Sequence, residues 1–484
     1  MAPAIVLTLP AALLVLEQAE QIRYEELNEA VRGPFWLEHR LVFDGVSTNV
    51  GWYGLLVLVY RVFGFGLGTA RWARVALLAL GLIALSALLH RHLRRGPAVL
   101  ALLAIALSPT LLYLNRITTS YGTDLLILPF CLLLLDDLRR RARERVARVV
   151  PTAAALGAVA MIGAMVFPAM VISIPFLAAW AGAALPRGGR LRPALAGAGG
   201  FVLPLALATV AMRDPRSLYW DPIDHAGIFR GGAGGWVTDP SIVSANLSTL
   251  VDDLFRRGSS YYFELRAVEF GGWLGRASFA GVVTLAAVAA WKVRSARPVV
   301  ATAAAAALLA ALATSAAAGP PGLRRATAVV AAFYLMVPMI WVLVPRLAAR
   351  PASRATIVGL LLLLPIHHLL AYGEHLKQAR TAIWGRERVW FGIDRSPEAA
   401  LEHWVSHTAE GRPLDCRTLR TPGKQACGYD YIYAAIGGFR RWNGEPPIDI
   451  RAVDPRTGEA IVLSPFDWRS RATPAVRNRP RAPS

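Results

Sequence analysis

The sequence has few charged residues and few cysteines for its length. Only 17% of its 484 residues are Asp, Glu, Lys or Arg, whereas soluble domains carry roughly 25%. None of its three cysteines lies in a CxxC pair, and HExxH or other zinc-type spacing is absent. No glycine-rich phosphate loop precedes a helical pattern, so no soluble nucleotide-sugar site is indicated. These absences argue against an ordinary soluble protein and against a zinc enzyme.

Long apolar runs take the place of the missing charge. Hydrophobic residues make up 55% of the chain, and runs such as 75–89, 99–114 and 357–370 are too long for ordinary core helices. Because a helix needs about 20 apolar residues to cross the hydrocarbon layer, we predict an all-α polytopic membrane protein. The first run, 4–16, has no basic segment before it and no clear cleavage site after it, so we interpret it as a retained span; a cleaved signal is the alternative.

Basic residues are distributed in short patches between the apolar runs. The net charge of +20 therefore indicates positive loops on the cytoplasmic side rather than a nucleic-acid surface. If the patches at 91–95, 139–148, 187–192, 292–297 and 346–354 are all cytoplasmic, an even number of crossings separates each from the next. This parity predicts about 11 transmembrane helices, expected near 4–16, 75–89, 97–114, 122–137, 150–167, 169–186, 194–212, 273–291, 298–317, 326–344 and 355–372.

The same parity decides how an ambiguous segment is interpreted. The run 51–67, GWYGLLVLVYRVFGFGL, resembles a span, but a crossing there would move every later basic patch to the outside. We therefore expect a helix in the outer interface, within a long first outer loop at 20–70. A second long outer loop is expected at 213–272, and loops of this length are usually functional or disordered.

The composition changes to polar and mixed after Tyr372. We predict a transmembrane domain over 1–372, a small extracytoplasmic α/β domain over 373–470 and a disordered tail over 471–484. Two extended arms around DPRTG, within 448–463, predict a hairpin. Cys416 and Cys427 are expected to form a disulfide if this domain lies outside the cytoplasm.

Ionisable residues collect in three segments that are expected to face one another on the outer side. Charged groups at a membrane edge are costly unless they pair or face a cavity, so they are candidates for function. A carboxylate can act as a general base towards a hydroxyl group, and arginines bind phosphate through forked hydrogen bonds. The candidates are Glu25, Glu26 and Asp44 in the first loop, Arg116 and Asp124 in the turn near 115–123, and Arg324 and Arg325 in GPPGLRR.

Each of these groups also has a structural interpretation. Asp124 can serve as a residue at a helix N-terminus, and Glu25 and Glu26 can form the solvated face of an interfacial helix. Arg324 and Arg325 can extend from a helix end towards the headgroups. The arginine pair departs from the positive-inside pattern, which favours the functional interpretation for that pair.

Taken together, these segments resemble the GT-C superfamily of membrane glycosyltransferases. The resemblance covers roughly 1–372 and is closest to the branch of protein O-mannosyltransferases and the lipid A aminoarabinose transferase. Glu25-Glu26 stands where that family has an Asp-Glu pair, without the Pro-Pro stretch that often follows. ALSPTLLYLNRITTSYGTDLLILPF supplies the SP, Arg and Asp of a similar turn, and GLRRATAVVAAFYLMVP resembles the Arg-led late span that contacts the lipid phosphate.

The resemblance implies an enzyme of the cytoplasmic membrane with its site on the outer side. It would transfer a sugar from a polyprenyl-phosphate donor to a glycan, lipid or protein acceptor, with Glu25 as base. The resemblance further implies supporting roles: orientation for Glu26 and Asp124, a second acid for Asp44, and phosphate binding for Arg324, Arg325 and, more weakly, Arg116. Oligosaccharyltransferase catalytic subunits bind a divalent metal through Asp-x-Asp in this turn. Gly122 replaces the first acid here, so no cofactor is expected.

Two other functions remain open from the sequence. A transporter or flippase of a lipid-linked or anionic solute would show inverted repeats and charged or broken helices at the bilayer midplane; no repeat is visible, and the acids cluster at one face. A non-catalytic family member that binds a lipid-linked sugar is the second alternative, because Glu25 stands where the family has Asp.

Overall fold

The structure is a computed structural model of the chain. It describes residues 2–17, 50–64, 67–115, 118–144, 149–185, 190–212, 239–257, 268–316, 327–348, 350–381, 450–453 and 460–463. Apart from two short strands, the described residues are almost entirely helical. The helices are α1 (Ala2–Val6), α2 (Leu9–Glu17), α3 (Val50–Phe63), α4 (Leu67–His92), α5 (Arg95–Ala106), α6 (Pro109–Asn115), α7 (Thr123–Glu144), α8 (Val149–Val166), α9 (Ile174–Ala184), α10 (Leu191–Met212), α11 (Pro240–Asp252), α12 (Gly272–Lys292), α13 (Arg297–Ala316), α14 (Thr327–Leu347) and α15 (Pro351–Thr381).

The described helices support an all-α, multi-pass membrane protein. Six of them are long and apolar enough to cross a membrane, and a bent pair makes up to seven. The expected number of 11 is therefore not reached by this criterion. Of the remaining four predicted spans, three correspond to the shorter apolar helices Ala4–Leu16, Ala169–Ala184 and Leu191–Leu207. The fourth, α7, is long enough but carries acids and arginines within its apolar stretch.

Two tryptophans mark the ends of α12. Trp273 and Trp291 are 78% and 76% exposed at opposite ends of this apolar helix. They are separated by about 27 Å along an α-helix, close to the roughly 30 Å of the bilayer hydrocarbon core. Because tryptophan concentrates at both membrane interfaces, α12 fits a full crossing.

The predicted span 97–114 is not one continuous helix. The chain breaks at Leu107 and Ser108, and α5 and α6 meet there at 57°. Ser108 begins the second piece because its Oγ accepts the Leu111 N–H at 3.2 Å, and Pro109 occupies the first helical position, where its missing N–H costs nothing. The predicted span is therefore a bent pair of helices, and its crossing as one unit stays a prediction.

The core lies between α4, α5, α6, α12, α14 and α15. Leucines and other large apolar residues from these helices are fully buried in one cluster, including Leu78, Leu102, Leu112, Ile340 and Leu364. Helices α8 and α10 pack more closely than the helices of this cluster do, because glycine and alanine lie where they meet. A side chain at Gly157 or Gly200 would place its Cβ 2.0 Å from a backbone carbonyl oxygen of the partner helix, a spacing typical of small-residue helix packing in membranes.

Within the segment 51–67, residues 51–63 are helical as predicted. Helix α3 buries Trp52 and Leu56, and its Gly51 lies against the backbone of Met165 at the end of α8. Its position relative to a membrane interface stays a prediction.

The predicted loop 213–272 is described over 239–257 and 268–272. Helix α11 begins at an N-cap, Asp239, which accepts the Ser241 N–H at 2.9 Å. The hydrogen bonds from Ser241 lower the pKa of Asp239, so the cap stays ionised at neutral pH.

Two antiparallel strands form around DPRTG. Strand β1 (Ile450–Val453) pairs with β2 (Ala460–Leu463), with Ile450 opposite Leu463. These are the two arms of the predicted hairpin. Residues 373–381, which were predicted to begin the outer domain, instead continue α15. The rest of that domain, including Cys416 and Cys427, lies outside the described residues, as does the tail. Cys131 is a buried free thiol.

Candidate functional site

One of the seven predicted site residues, Asp124, is described by the structure. It lies in the first turn of α7 and is 4% exposed. Its Oδ2 accepts a hydrogen bond of 2.6 Å from Thr327 Oγ1, at the start of α14. Its Oδ1 has no hydrogen-bond partner among the described residues. The helix N-terminus favours a carboxylate there, but a residue that only capped a helix would not need a contact from a distant helix.

The other six predicted residues lie outside the described residues, so the predicted convergence is tested only through their neighbours. Asn115 precedes Arg116, and Thr327 follows Arg325 by two positions. The Thr327–Asp124 hydrogen bond therefore joins the segment that follows Arg116 to the segment that follows Arg325. The residues without described positions are Glu25, Glu26, Asp44, Arg116, Arg324 and Arg325.

The turn before Asp124 is lined with buried uncharged polar groups. Asn115 donates from Nδ2 to Leu111 O, and Thr123 donates from Oγ1 to Ser120 O at 2.7 Å. Within the described part of the chain, Asn115 Oδ1 and Thr119 Oγ1 have no hydrogen-bond partner. Since buried polar groups are nearly always paired in folded proteins, these open positions favour a polar ligand at the turn. The fully buried polar residues of the turn are Asn115, Thr118, Thr119, Ser120 and Thr123.

Gly122 has a backbone reason for its place in this turn. Its φ is +74°, and a Cβ there would lie 2.5 Å from Leu114 Cδ1. An aspartate at this position would be strained and would collide with Leu114. The residue that departs from the Asp-x-Asp pattern is thus one that the local backbone requires. The described residues contain no group of three or more His, Cys, Asp or Glu side chains able to hold a metal ion; the prediction of no cofactor stays a prediction.

Two buried arginines at the start of α4 belong to the same end of the bundle, and the sequence reasoning missed them. Arg71 and Arg74 are 2% and 0% exposed. Arg74 donates from Nη2 to Tyr121 O, and its guanidinium lies 5.5 Å from the centre of the Trp52 ring. The sequence signal for them was a pair of arginines three positions apart, which share one helix face, at the start of a mainly apolar helix.

An apolar cavity of about 240 Å³ lies within the bundle, and the residue that follows Asp124 in the chain, Leu125, is part of its lining. Leu125 and Leu126 line one end, and His92 lines the other. Its walls come from α4, α7 and α14 and consist mainly of leucine, valine and methionine. Among the described residues, three polar side chains line it: His92, Ser108 and Tyr334. The cavity is suited to a hydrocarbon chain and offers little to a polar solute.

Ion pairs join α4 and α7 at the far end of this cavity. Arg91 Nη1 lies 2.8 Å from Asp137 Oδ1, and His92 Nε2 lies 3.0 Å from Asp136 Oδ1. Arg140 adds a contact to Asp137 at 2.6 Å. These partly exposed pairs fix the ends of the two helices and contribute little individually. They belong to the basic patches expected on the cytoplasmic side, at the opposite ends of these helices from Arg74 and Asp124.

A second buried acid, Glu269, lies immediately before α12. Its carboxylate accepts hydrogen bonds from Ser108 Oγ at 2.9 Å, from Thr110 N at 2.8 Å and from the Tyr334 hydroxyl. Both hydroxyl groups also line the apolar cavity. Sequence reasoning missed this cluster because Glu269 lies in a long polar segment and no local pattern pairs it with residues more than 60 positions away.

Comparison with known proteins gives no match to any protein family, curated protein or solved structure. The described residues support one class of protein: a multi-pass membrane protein that is almost entirely helical, with a buried acid beside an apolar cavity.

Proposed function

We propose that this protein transfers a sugar from a polyprenyl-phosphate donor to a glycan, lipid or protein acceptor. The observation that carries the proposal is Asp124, a buried carboxylate whose Oδ1 has no partner among the described residues. It directly precedes Leu125 and Leu126, which line a hydrocarbon cavity. A donor of this class has a long apolar chain and a charged head. The apolar cavity and the polar turn beside it match these two parts.

The residue roles follow from the chemistry of sugar transfer. A carboxylate accepts the proton of the acceptor hydroxyl as the new bond forms, a role we assign to Glu25. Asp124 and Glu26 orient the sugar or the acceptor, and Asp44 is a second acid. The leaving polyprenyl phosphate carries negative charge, which arginines neutralise. We assign that role to Arg324 and Arg325, with Arg116 as a weaker contributor.

The buried arginines on α4 support this assignment electrostatically. A cation near the mouth of a cavity in low dielectric attracts a phosphate more strongly than a solvated one does. Arg74 lies within electrostatic reach of Asp124 and is held against Trp52. We include Arg74 among the groups that favour an anionic head at this end of the bundle.

The proposal includes a location and a topology. We place the protein in the cytoplasmic membrane with about 11 crossings. The site and the 373–470 domain lie on the extracytoplasmic side. The bent pair α5–α6, the three shorter apolar helices Ala4–Leu16, Ala169–Ala184 and Leu191–Leu207, and α7 supply the five crossings beyond the six long helices. Proteolysis of right-side-out and inverted vesicles would test this arrangement, since only right-side-out vesicles should lose the 373–470 segment.

Turnover of a lipid-linked donor tests the function itself. The purified protein in vesicles is given a panel of polyprenyl-phosphate-linked sugars, and mass spectrometry follows free polyprenyl phosphate and glycosylated product. We expect sugar-dependent release by the wild type and by an Asp252→Asn control on α11. Glu25→Gln and the double variant Arg324→Ala/Arg325→Ala should abolish it. Wild-type turnover in Glu25→Gln would refute the base assignment.

A transporter or flippase is the second candidate, and one observation favours it. Broken helices with buried polar groups are typical of transport sites, and the α5–α6 break lies against Glu269. Movement of a fluorescent lipid-linked sugar across vesicles, with no chemical turnover by any donor, would select this function. Donor binding with neither movement nor turnover would instead select the non-catalytic binding protein.

A further inference from the structure

A chain of three titratable side chains crosses the interior of the bundle. Glu269, Tyr334 and His368 come from three different elements, and each is at least 93% buried. The Tyr334 hydroxyl donates to Glu269 Oε1 and lies 3.2 Å from His368 Nε2. The direct separation between His368 Nε2 and Glu269 Oε1 is 3.8 Å. Tyr334 is therefore the hydrogen-bonded link between acid and imidazole.

Backbone contacts fix the orientation of both neighbouring histidines. His368 Nδ1 lies 2.6 Å from Ala104 O, and His367 Nε2 lies 3.0 Å from Glu269 O. A carbonyl oxygen only accepts, so both ring nitrogens must carry a proton. For His368 this leaves Nε2, on the Tyr334 side, as the atom that gains or loses a proton. The titratable groups given by the contacts around the cluster are Glu269, Tyr334, His367 and His368.

We propose that Glu269, Tyr334 and His368 form an intramembrane proton relay. In one state Glu269 is ionised, Tyr334 donates to it, and His368 Nε2–H donates to the Tyr334 oxygen. The Tyr334 proton then moves to Glu269 while the Nε2 proton moves to Tyr334. One O–H and one N–H bond break and two O–H bonds form, leaving a neutral acid and a neutral imidazole. The net charge of the cluster is the same in both states.

Opposing effects allow both states to be populated. Burial disfavours the separated charges of the ionic state. The ionised carboxylate, however, accepts hydrogen bonds from Ser108, Thr110 and Tyr334, and such bonds stabilise a buried carboxylate. The carboxylate thus exchanges solvation by water for solvation by fixed donors from two helices, α6 and α14.

The relay also touches the apolar cavity and the broken helix. Tyr334 and Ser108 line the cavity, so an occupant meets the hydroxyl through which the proton passes. Glu269 holds the first turn of α6 through Ser108 and Thr110. A protonated Glu269 has one fewer acceptor position for these groups. The protonation state is therefore coupled to the position of α6, which leads into the Asp124 turn. This inference does not depend on the proposed function.

A thermodynamic cycle tests the relay in the full-length protein in nanodiscs. Infrared spectroscopy follows the carboxyl band of Glu269 as a function of pH, assigned by its loss in Glu269→Gln. We expect His368→Gln to move the midpoint of this band by about one pH unit or more, a tenfold change in proton affinity. In a Tyr334→Phe background, His368→Gln should move this midpoint far less, because the Tyr334 hydroxyl that links the imidazole to the carboxyl group is absent.

The controls separate a relay from simple proximity. Tyr372→Phe removes a hydroxyl that lies on α15, outside the relay, and donates to Pro10 O at 3.3 Å. This variant should leave the His368→Gln effect at its wild-type size. An effect that persists undiminished in Tyr334→Phe would overturn the relay in favour of direct charge interaction. If Tyr334→Phe does not fold, the pH dependence of the Glu269 carboxyl band in the wild type still tests the proposal. A Glu269 that stays ionised at every pH at which the protein is folded contradicts the proposal.

Discussion

Replacement of Glu269 by alanine should destabilise the bundle more than any exposed acid does. The substitution removes the acceptor for Ser108 Oγ, Thr110 N and the Tyr334 hydroxyl, all buried. A buried donor left without an acceptor costs about 1–3 kcal/mol. The two hydroxyl groups can rotate towards other acceptors, but the Thr110 N–H cannot. We therefore expect a loss of about 1–3 kcal/mol from the Thr110 N–H alone, and a larger total because the two hydroxyl groups also lose their hydrogen bonds to the acid.

Matched variants show whether this loss comes from the hydrogen bonds. Glu269→Gln keeps the shape and one acceptor oxygen and should cost about 1–2 kcal/mol less than alanine. Asp252→Ala breaks an exposed i,i+4 pair with Arg256 and should cost at most about 0.5 kcal/mol. Differential scanning fluorimetry in detergent gives the order of the three melting temperatures. A Glu269→Ala protein that melts with the wild type would refute the reasoning about the cluster.

Two further predictions concern packing and the site. Gly200→Ala should lower the melting temperature, because the new Cβ would lie 2.0 Å from Ala154 O and overpacking costs about 1–3 kcal/mol. Gly199→Ala should raise the melting temperature, because its Cβ would have no atom within 4 Å and alanine has the better helix propensity. Equal shifts from the two variants would contradict the α8–α10 packing. Thr327→Val removes the donor to Asp124 and should slow donor turnover by about tenfold, from about 1.5 kcal/mol of lost hydrogen bonding; an unchanged rate would exclude a role for this bond.

The helices could be predicted from the sequence, because long apolar runs have few ways to fold. The membrane class and the helix over 51–63 follow from composition and local pattern alone. The break at Ser108 was harder to predict. A serine and a proline mark a helix start, but the 57° bend is held by Glu269, a residue far along the chain.

The candidate site could be predicted only in part for the same reason. Asp124 stood out as an acid at the start of an apolar run, and it is buried as a functional acid would be. Its contact with Thr327 joins helices more than 200 residues apart, and no local periodicity reports such a pairing. Arg74 and Tyr334 were missed because an arginine at a helix start and a tyrosine in a span each have an ordinary local explanation.

The most direct test of the central claim is the rate of polyprenyl phosphate release by Asp124→Asn at saturating donor. The variant keeps the size of the side chain and its contact with Thr327 but removes the charge beside the cavity. If Asp124 orients the sugar or the acceptor in a sugar-transfer site, we expect the rate to fall by roughly 10²-fold, because small misplacements of reacting groups cost about this much. The melting temperature should stay close to that of an Asp252→Asn control. A folded Asp124→Asn protein that releases polyprenyl phosphate at the wild-type rate would contradict the assignment of this site.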